Sequence, residues 1–145
     1  PIATGAALAD KINKIKKKTF VILSDGELDE GSNWESLLFS SHHKLNNLVI
    51  IIDYNKLQSI DFVKNTLNLE PLKQKFQSFG CKVVSVDGHN FKQLEKALTS
   101  TSTKPLVIIA NTIKGKGVSF MENSVLWHYK SLNSEDYQKA LRIIK

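Results

Sequence analysis

"NLVIIID", residues 47–53, decides the fold. After Asn47 the chain is apolar without interruption until Asp53. Alternating polarity would mark a strand with one wet face. An unbroken run of this kind marks a strand buried on both faces, as in parallel sheets. "PLVIIAN", residues 105–111, reads the same way, and "TFVILS" (19–24) and "CKVVSVD" (81–87) supply two further strands. Helical patterns separate them. "PIATGAALADKI" opens the chain as a helix already under way. "GSNWESLLFSSHHKL" sets Trp34, Leu37, Leu38 and Leu45 at helical spacing. "LEPLKQKFQSFG" has Pro71 early and Gly80 as a stop. "NFKQLEKALTS" aligns Phe91, Leu94 and Leu98. "NSEDYQKALRII" begins with Asn133 or Ser134 as N-cap and Glu135 and Asp136 in its first turn. Strands alternating with helices predict an α/β domain. The sheet is doubly wound and mostly parallel, with helices on both faces, and one domain spans 1–145.

The bulk properties agree. The chain has 145 residues, 41% hydrophobic, enough for one core. Its net charge of +6 suits an anionic partner. Part of that charge sits in "KINKIKKK" (11–18), read as a helix ending in a solvated lysine run. No basic patch is interleaved with aromatics, so nucleic acid is not expected. No apolar run approaches the roughly 18 residues of a membrane span. The single cysteine, Cys81, permits no internal disulfide and fits a reducing, cytoplasmic compartment.

In open parallel sheets, ligands bind beyond the carboxyl ends of the strands. The residues there are Ser24-Asp25-Gly26, Asp53-Tyr54-Asn55, Asp87-Gly88-His89 and Asn111 to Lys114. Two stretches, 54–69 and 112–133, are long and irregular, as functional loops often are. "SDGELDEGSNWE" (24–35) has no G-x-G-x-x-G, so a dinucleotide site is excluded, and no Walker loop is present. Counted from Asp25, the EF-hand positions six and twelve are Glu30 and Ser36, which excludes that calcium loop. His42, His43, His89 and His128 lack cysteine partners at zinc spacing.

What remains is oxygen chemistry. Asp25 ends one strand and Asn55 ends the next, offering a carboxylate and a carboxamide to one point. A backbone carbonyl just past Asn55 would add a third donor. Magnesium takes few protein oxygens and completes its octahedron with phosphate. Gly26 lets the chain turn sharply and approach a ligand closely. The helix starting near Gly31 adds a positive dipole end. "KGKG" (114–117) reads either as a solvated turn or as a phosphate-facing loop. His89 reads either as a helix cap or as a substrate-side residue.

The D-G-x(28)-N span followed by "GELDEG" resembles the thiamine-diphosphate motif of the transketolase family. "VDGHNFKQLEKAL", "PLVIIANTIKGKGVSFMENSVLWHYKSL" and "PIATGAALAD" resemble it as well, in the same order, over nearly the whole chain. The resemblance implies a thiamine diphosphate-binding domain of the diphosphate-binding (PP) type, with Mg²⁺ or Ca²⁺ held by Asp25, Asn55 and the Leu57 carbonyl. Gly26, Glu27 and Lys114 would lie near the cofactor, although Glu27 and Asp29 also read simply as helix-start acids. Glu30 and Glu35 would match acids that relay protons across a dimer interface, and His128 a histidine near diphosphate and substrate. Ser24 stands where the family usually has glycine. The resemblance also implies a Gly-His-Gly segment upstream of Pro1, so the domain is expected to be incomplete at its N-terminus. The pyrimidine-binding domain or subunit is expected as a partner, in a homodimer or heterotetramer acting on phosphosugars. The implied activity is transfer of a two-carbon ketol unit. The alternatives are another thiamine-diphosphate enzyme, such as a 2-oxoacid dehydrogenase component or a decarboxylase, and a truncated, non-catalytic cofactor-binding domain.

Overall fold

In the computed structural model, which describes residues 1–144, the four expected strands form one sheet. They are β1 (Thr19–Ser24), β2 (Leu48–Tyr54), β3 (Lys82–Asp87) and β4 (Leu106–Asn111), in the order β1-β2-β4-β3. Every pairing is parallel. The two uninterrupted apolar runs take the two central places. In β4 every residue but the last is buried, whereas β1 at the edge alternates half-buried and exposed. The sequence contrast between continuous and weaker runs is therefore a contrast between centre and edge.

The helices are α1 (Ile2–Ile12), α2 (Gly31–His42), α3 (Val63–Thr66), α4 (Leu72–Ser78), α5 (Phe91–Thr99) and α6 (Ser134–Ile144). The steps from β1 to β2 and from β2 to β3 run the same way across the sheet. The step from β3 to β4 runs back. Right-handed crossovers then put α2 and α4 on one face and α5 on the other. The packing agrees. Ala7 of α1, Leu37 of α2 and Leu72 and Phe76 of α4 join Ile50, Ile52, Val107 and Ile109 in one core. Ala97 and Leu94 of α5 join Val49, Ile108 and Val86 in the other. Filling both faces of the two central strands removes most of their side chains from water, at about 1.5–3 kcal/mol for each large aliphatic fully buried.

One sequence expectation is corrected. The first helix does not run into the lysines: it ends at Ile12, and Lys14 takes a left-handed φ of 55°. The Lys14 N–H bonds back to Lys11 O (3.2 Å) and the Ile15 N–H to Asp10 O (2.8 Å). That double bond pattern is a Schellman stop, which satisfies carbonyls the helix would otherwise leave open. Lys11 stays helical, but its Nζ reaches the C-terminus of α2 instead, at His43 O (2.7 Å) and Lys44 O (2.8 Å). It thus places a cation at the negative end of a neighbouring helix. Asn133 is the side chain that caps α6, accepting from Asp136 N–H at 2.7 Å. Among the described residues no helix is long and apolar enough to cross a membrane.

Candidate cofactor and metal site

The register pairs Ser24 with Asp53, so β1 and β2 end side by side and their loops meet. Beyond β1 the chain enters a 3-10 turn, Gly26–Asp29, which leads into α2. The turn is tied down from both sides. Ser24 N–H donates to Glu27 Oε2 (2.8 Å) and Glu27 N–H to Ser24 Oγ (3.3 Å), the reciprocal pairing of a capping box. From α2, Trp34 Nε1 donates to Leu28 O (2.7 Å) and Asn33 Nδ2 to Glu27 O (2.6 Å). Trp34 itself is stacked on Phe76, with ring centroids 5.4 Å apart. Packing of α2 on α4 therefore fixes the acidic turn.

Asp25 is 1% exposed. Its Oδ1 accepts from Gly26 N–H (2.9 Å) and its Oδ2 from Lys56 N–H (2.7 Å). The second bond joins the two strand-end loops. Burial pushes the Asp25 carboxyl above the usual carboxylate range, against the N–H bonds of Lys56 and Gly26, which favour the charge. A cation placed beside it would offset the desolvation that opposes its charge. Asn55 Oδ1 accepts from Leu57 N–H (3.0 Å), folding the second loop tightly around the carbonyls that follow. Between them Lys56 is held at a left-handed φ of 67°. A non-glycine residue there carries backbone strain, and its neighbours hold it through Asp25 and through Val63 N–H, which donates to Lys56 O (3.0 Å).

Gly26 needs a different explanation from the one its turn suggested. Its backbone is not left-handed. A Cβ built there would meet only Gln58 Cγ at 3.6 Å and Cδ at 3.8 Å, which are ordinary contacts. The chain itself tolerates a side chain at that point, so neither its backbone nor its neighbours require glycine. Gly88 is the opposite case: a Cβ there would collide with Thr112 Cγ2, so contact between the loops after β3 and β4 disfavours a side chain. Ser24 lies in regular strand backbone, so no glycine is required where the resembled motif has one.

Asp25, Gly26, Asn55 and Leu57 are thus brought together. Glu27, in contrast, has its carboxylate engaged by the end of β1. Glu30 and Glu35 are exposed on the start and outer side of α2, the helix whose Leu38 and Phe39 are 59% and 43% exposed. Lys114 is half-buried and His128 exposed, both in the segment after β4. That segment is joined to the β2 end where Thr112 N–H donates to Tyr54 O (3.2 Å) and Thr112 Oγ1 to Asp53 Oδ1. Further on it is braced within itself. Trp127 Nε1 donates to Phe120 O (3.0 Å), Phe120 packs edge-on against Trp127, and Lys130 Nζ lies 4.4 Å from the Trp127 ring centroid. Among the described residues no hydrogen bond links Lys114 or His128 to the Asp25 turn. His89 turns out to be a clamp: its Nε2 accepts from Ile113 N–H (2.8 Å), while Asn90 caps α5.

Sequence reasoning missed Lys56, whose left-handed backbone has no signal in a lysine, and Gln58, which lies buried against Gly26. The Ser24–Glu27 pairing did have a signal, the Ser-x-x-Glu of "SDGE".

The donor set fits the implied metal in kind. Two side-chain oxygens and nearby backbone carbonyls form a hard, oxygen-only site. Among the described residues no group of three or more His, Cys, Asp or Glu side chains gathers to hold an ion. Such a pair is too small to enclose a cation and fits one that completes its shell with oxygens of a ligand, as magnesium on a diphosphate does.

Similarity to known proteins bears on which ligand. The family model described as transketolase, thiamine diphosphate binding domain, matches residues 4–144. The chain is 42% identical to an apulose-4-phosphate transketolase subunit of Actinobacillus succinogenes, over 100% of this chain and 53% of that one. It is 37% identical to a 6-deoxy-6-sulfo-D-fructose transketolase subunit of a Clostridium species, over 96% of this chain and 52% of that one. It thus spans about half the length of these curated relatives. The crystal structure of a transketolase from Campylobacter jejuni superposes with a TM-score of 0.91 at 34% identity, over 97% of this chain and 23% of that one.

Proposed function

This chain belongs to the transketolase thiamine diphosphate-binding domain family, and from that premise we propose that it binds the diphosphate of thiamine diphosphate through Mg²⁺ (or Ca²⁺) as one half of a ketol-transferring site. The observation that carries the reading is the bond from Lys56 N–H to Asp25 Oδ2, which sets a buried carboxylate beside Asn55 and Leu57 at the carboxyl edge of the sheet. Asp25, Asn55 Oδ1 and the Leu57 carbonyl would hold the metal. Gly26 would leave room for a diphosphate oxygen, and the first turn of α2 would favour its charge. When bound, the cofactor supplies the carbanion-stabilising chemistry needed to cleave and form a bond beside a ketose carbonyl.

The rest of the proposal concerns what lies outside this chain. The pyrimidine-binding domain or subunit would complete the cofactor site, in keeping with relatives that are named as single subunits of a transketolase. Assembly as a homodimer or heterotetramer would cover the exposed Leu38 and Phe39 and bring Glu30 and Glu35 to an interface, where they would relay protons. Lys114 would neutralise negative charge near the cofactor, and His128 would orient or deprotonate a phosphosugar hydroxyl. The buried thiol of Cys81, pushed up to about 11 by desolvation, takes no part in this chemistry.

The test is calorimetric titration of the chain with thiamine diphosphate, with and without Mg²⁺. A pyrimidine-domain partner is then added and ketol transfer from a ketose phosphate is assayed. Metal-dependent binding followed by partner-dependent turnover is expected. Absence of metal-dependent binding under either condition would sink the cofactor assignment, and binding without turnover would reduce the protein to a non-catalytic cofactor-binding domain.

A further inference from the structure

Three buried side-chain atoms have no hydrogen-bond partner among the described residues: Asn47 Oδ1, Gln58 Nε2 and Ser100 Oγ. Asn47 immediately precedes β2, and Ser100 follows α5 on the way to β4, so both lie at the amino edge of the sheet. Gln58 differs in place and chemistry. It follows Leu57 directly in the loop beyond β2, at the carboxyl edge, and is 7% exposed.

Its position is fixed rather than incidental. The Gln58 N–H donates to Asp61 O (2.8 Å), and the adjoining Leu57 pairs with Phe62 in an isolated antiparallel bridge. The side chain lies against the acidic turn, with Cγ and Cδ 3.6 and 3.8 Å from the point where a Gly26 Cβ would stand. An amide Nε2 is a donor only, so it needs an acceptor and is of no use to a cation. A buried donor left unpaired is unfavourable, and native structures rarely keep one without a use. Asp25 does not serve as the acceptor: its two oxygens take the N–H groups of Gly26 and Lys56.

We propose that Gln58 is a diphosphate-positioning residue, its buried Nε2 donating to an anionic oxygen of the ligand held at Asp25 and Gly26. This rests on the cofactor reading above and adds to it a neutral donor beside the metal ligands. Asp25 and Asn55 would hold the cation while Gln58 grips the anion, so the two charges are recognised by separate groups of one loop pair.

The full chain serves for the experiment, with Mg²⁺ and either inorganic pyrophosphate or thiamine diphosphate as titrants. Gln58→Met keeps the length of the side chain but removes the donor, and Gln58→Glu replaces the donor with a like charge to the ligand. Gln58→Met is expected to weaken both ligands equally, by about tenfold, the scale of one hydrogen bond to a charged group. Its ligand-free thermal midpoint stays level or rises, because an unpaired buried donor has gone. Gln58→Glu weakens both ligands further. In the NMR spectrum, the Gln58 side-chain NH₂ signals, assigned by their loss in Gln58→Met, move downfield on adding Mg-pyrophosphate. Unchanged affinity in Gln58→Met and Gln58→Glu with unmoved NH₂ signals would overturn the assignment while leaving the cofactor reading intact. A loss for thiamine diphosphate but not for pyrophosphate would overturn it too, by placing Gln58 against another part of the cofactor. If the unaltered chain binds neither ligand, alone or with the pyrimidine-domain partner, the cofactor reading fails first and this inference with it. Should Gln58→Met not fold, Gln58→Glu, which also lacks the NH₂ group, supplies the assignment, and its affinity and the NMR shift decide.

Discussion

The two halves of the carboxyl edge are built differently. The half after β1 and β2 is buried and bonded across: Asp25 is 1% exposed and takes the N–H of Lys56 from the neighbouring loop. The half after β4 is longer and more exposed, and beyond Thr112 it is braced mainly within itself by Trp127 on Phe120 and by Lys130 over Trp127. The difference is one between a pair of loops fixed by bonds across the sheet edge and a loop held by its own small scaffold. Rigid placement suits metal coordination, where ligand distances are narrow. A self-braced loop suits contact with a substrate whose partners lie elsewhere.

The sharpest way to break this comparison is Asp25→Asn. Asparagine keeps the shape and one acceptor oxygen but removes the charge, so metal-dependent binding of thiamine diphosphate should fall by about 100-fold or more, roughly 2.7 kcal/mol. The pH dependence of stability is a separate readout. The folded carboxyl titrates above its ordinary value because burial opposes its charge. A raised folded value gives stability that is complete below the unfolded value and lost as pH rises through the folded one. The unaltered, ligand-free chain should therefore lose stability relative to Asp25→Asn from about pH 4 upward. Calorimetry and thermal melts across that range measure both. Equal affinity in the two proteins would remove Asp25 from the metal site.

Asn55→Ala is the next largest. It removes a proposed metal ligand and the side-chain bond to Leu57 N–H. Affinity for the Mg complex should drop by roughly tenfold or more, about 1.4 kcal/mol. The chain should also lose about 1 kcal/mol of stability with the lost turn bond.

The contrast predicts the reverse in the other half. Trp127→Ala removes the ring that holds Phe120 and Lys130 and should cost about 2 kcal/mol, somewhat less than a fully buried Trp because this one is only half-buried. Affinity for Mg-thiamine diphosphate should nevertheless stay within about twofold, because the loop's brace does not pass through Asp25 or Asn55. A loss as large as that of Asn55→Ala would show the two halves to be one cooperative unit. Amide hydrogen exchange in residues 112–133 would locate the loosening.

How legible all this was depends on whether a residue's type carries the reason for its place. The sheet was readable because "NLVIIID" and "PLVIIAN" are apolar throughout, and only a central strand needs that. Gly80 was readable as the end of α4 because glycine favours its observed φ of 84°. The ends of α1 and α2 were not readable, since the left-handed positions there are Lys14 and Lys44, residues that prefer helix. At the candidate site, the meeting of the Asp25 and Asn55 loops was legible because both follow strands that the pattern places in one parallel sheet. Gln58 was not, because its burial against Gly26 follows from how the second loop folds back through Asp61 and Phe62, and neither pattern nor period encodes that.

The smallest expected effect tests how the fixed half is held. Lys56 sits at φ 67° between Asn55 and Leu57. A left-handed conformation costs an ordinary L-residue about 1–2 kcal/mol, and glycine is free of that cost. Glycine also loses more backbone freedom on folding, about 0.5–1 kcal/mol. Lys56→Gly further removes the Lys56 ammonium from its place 5.8 Å from the Tyr54 ring centroid, a weak contact in water. The balance leaves a net gain of about 0.5–1 kcal/mol, a rise of roughly 2 °C in the thermal midpoint of a chain this size. The bond to Asp25 uses the backbone N–H, which glycine retains, so affinity for the Mg complex should not change. If stability rises and affinity holds, the two loops are joined by hydrogen bonding and the strain at Lys56 is its consequence. If affinity falls instead, the lysine side chain contributes to binding, and the anionic ligand is held by a cation as well as by the metal.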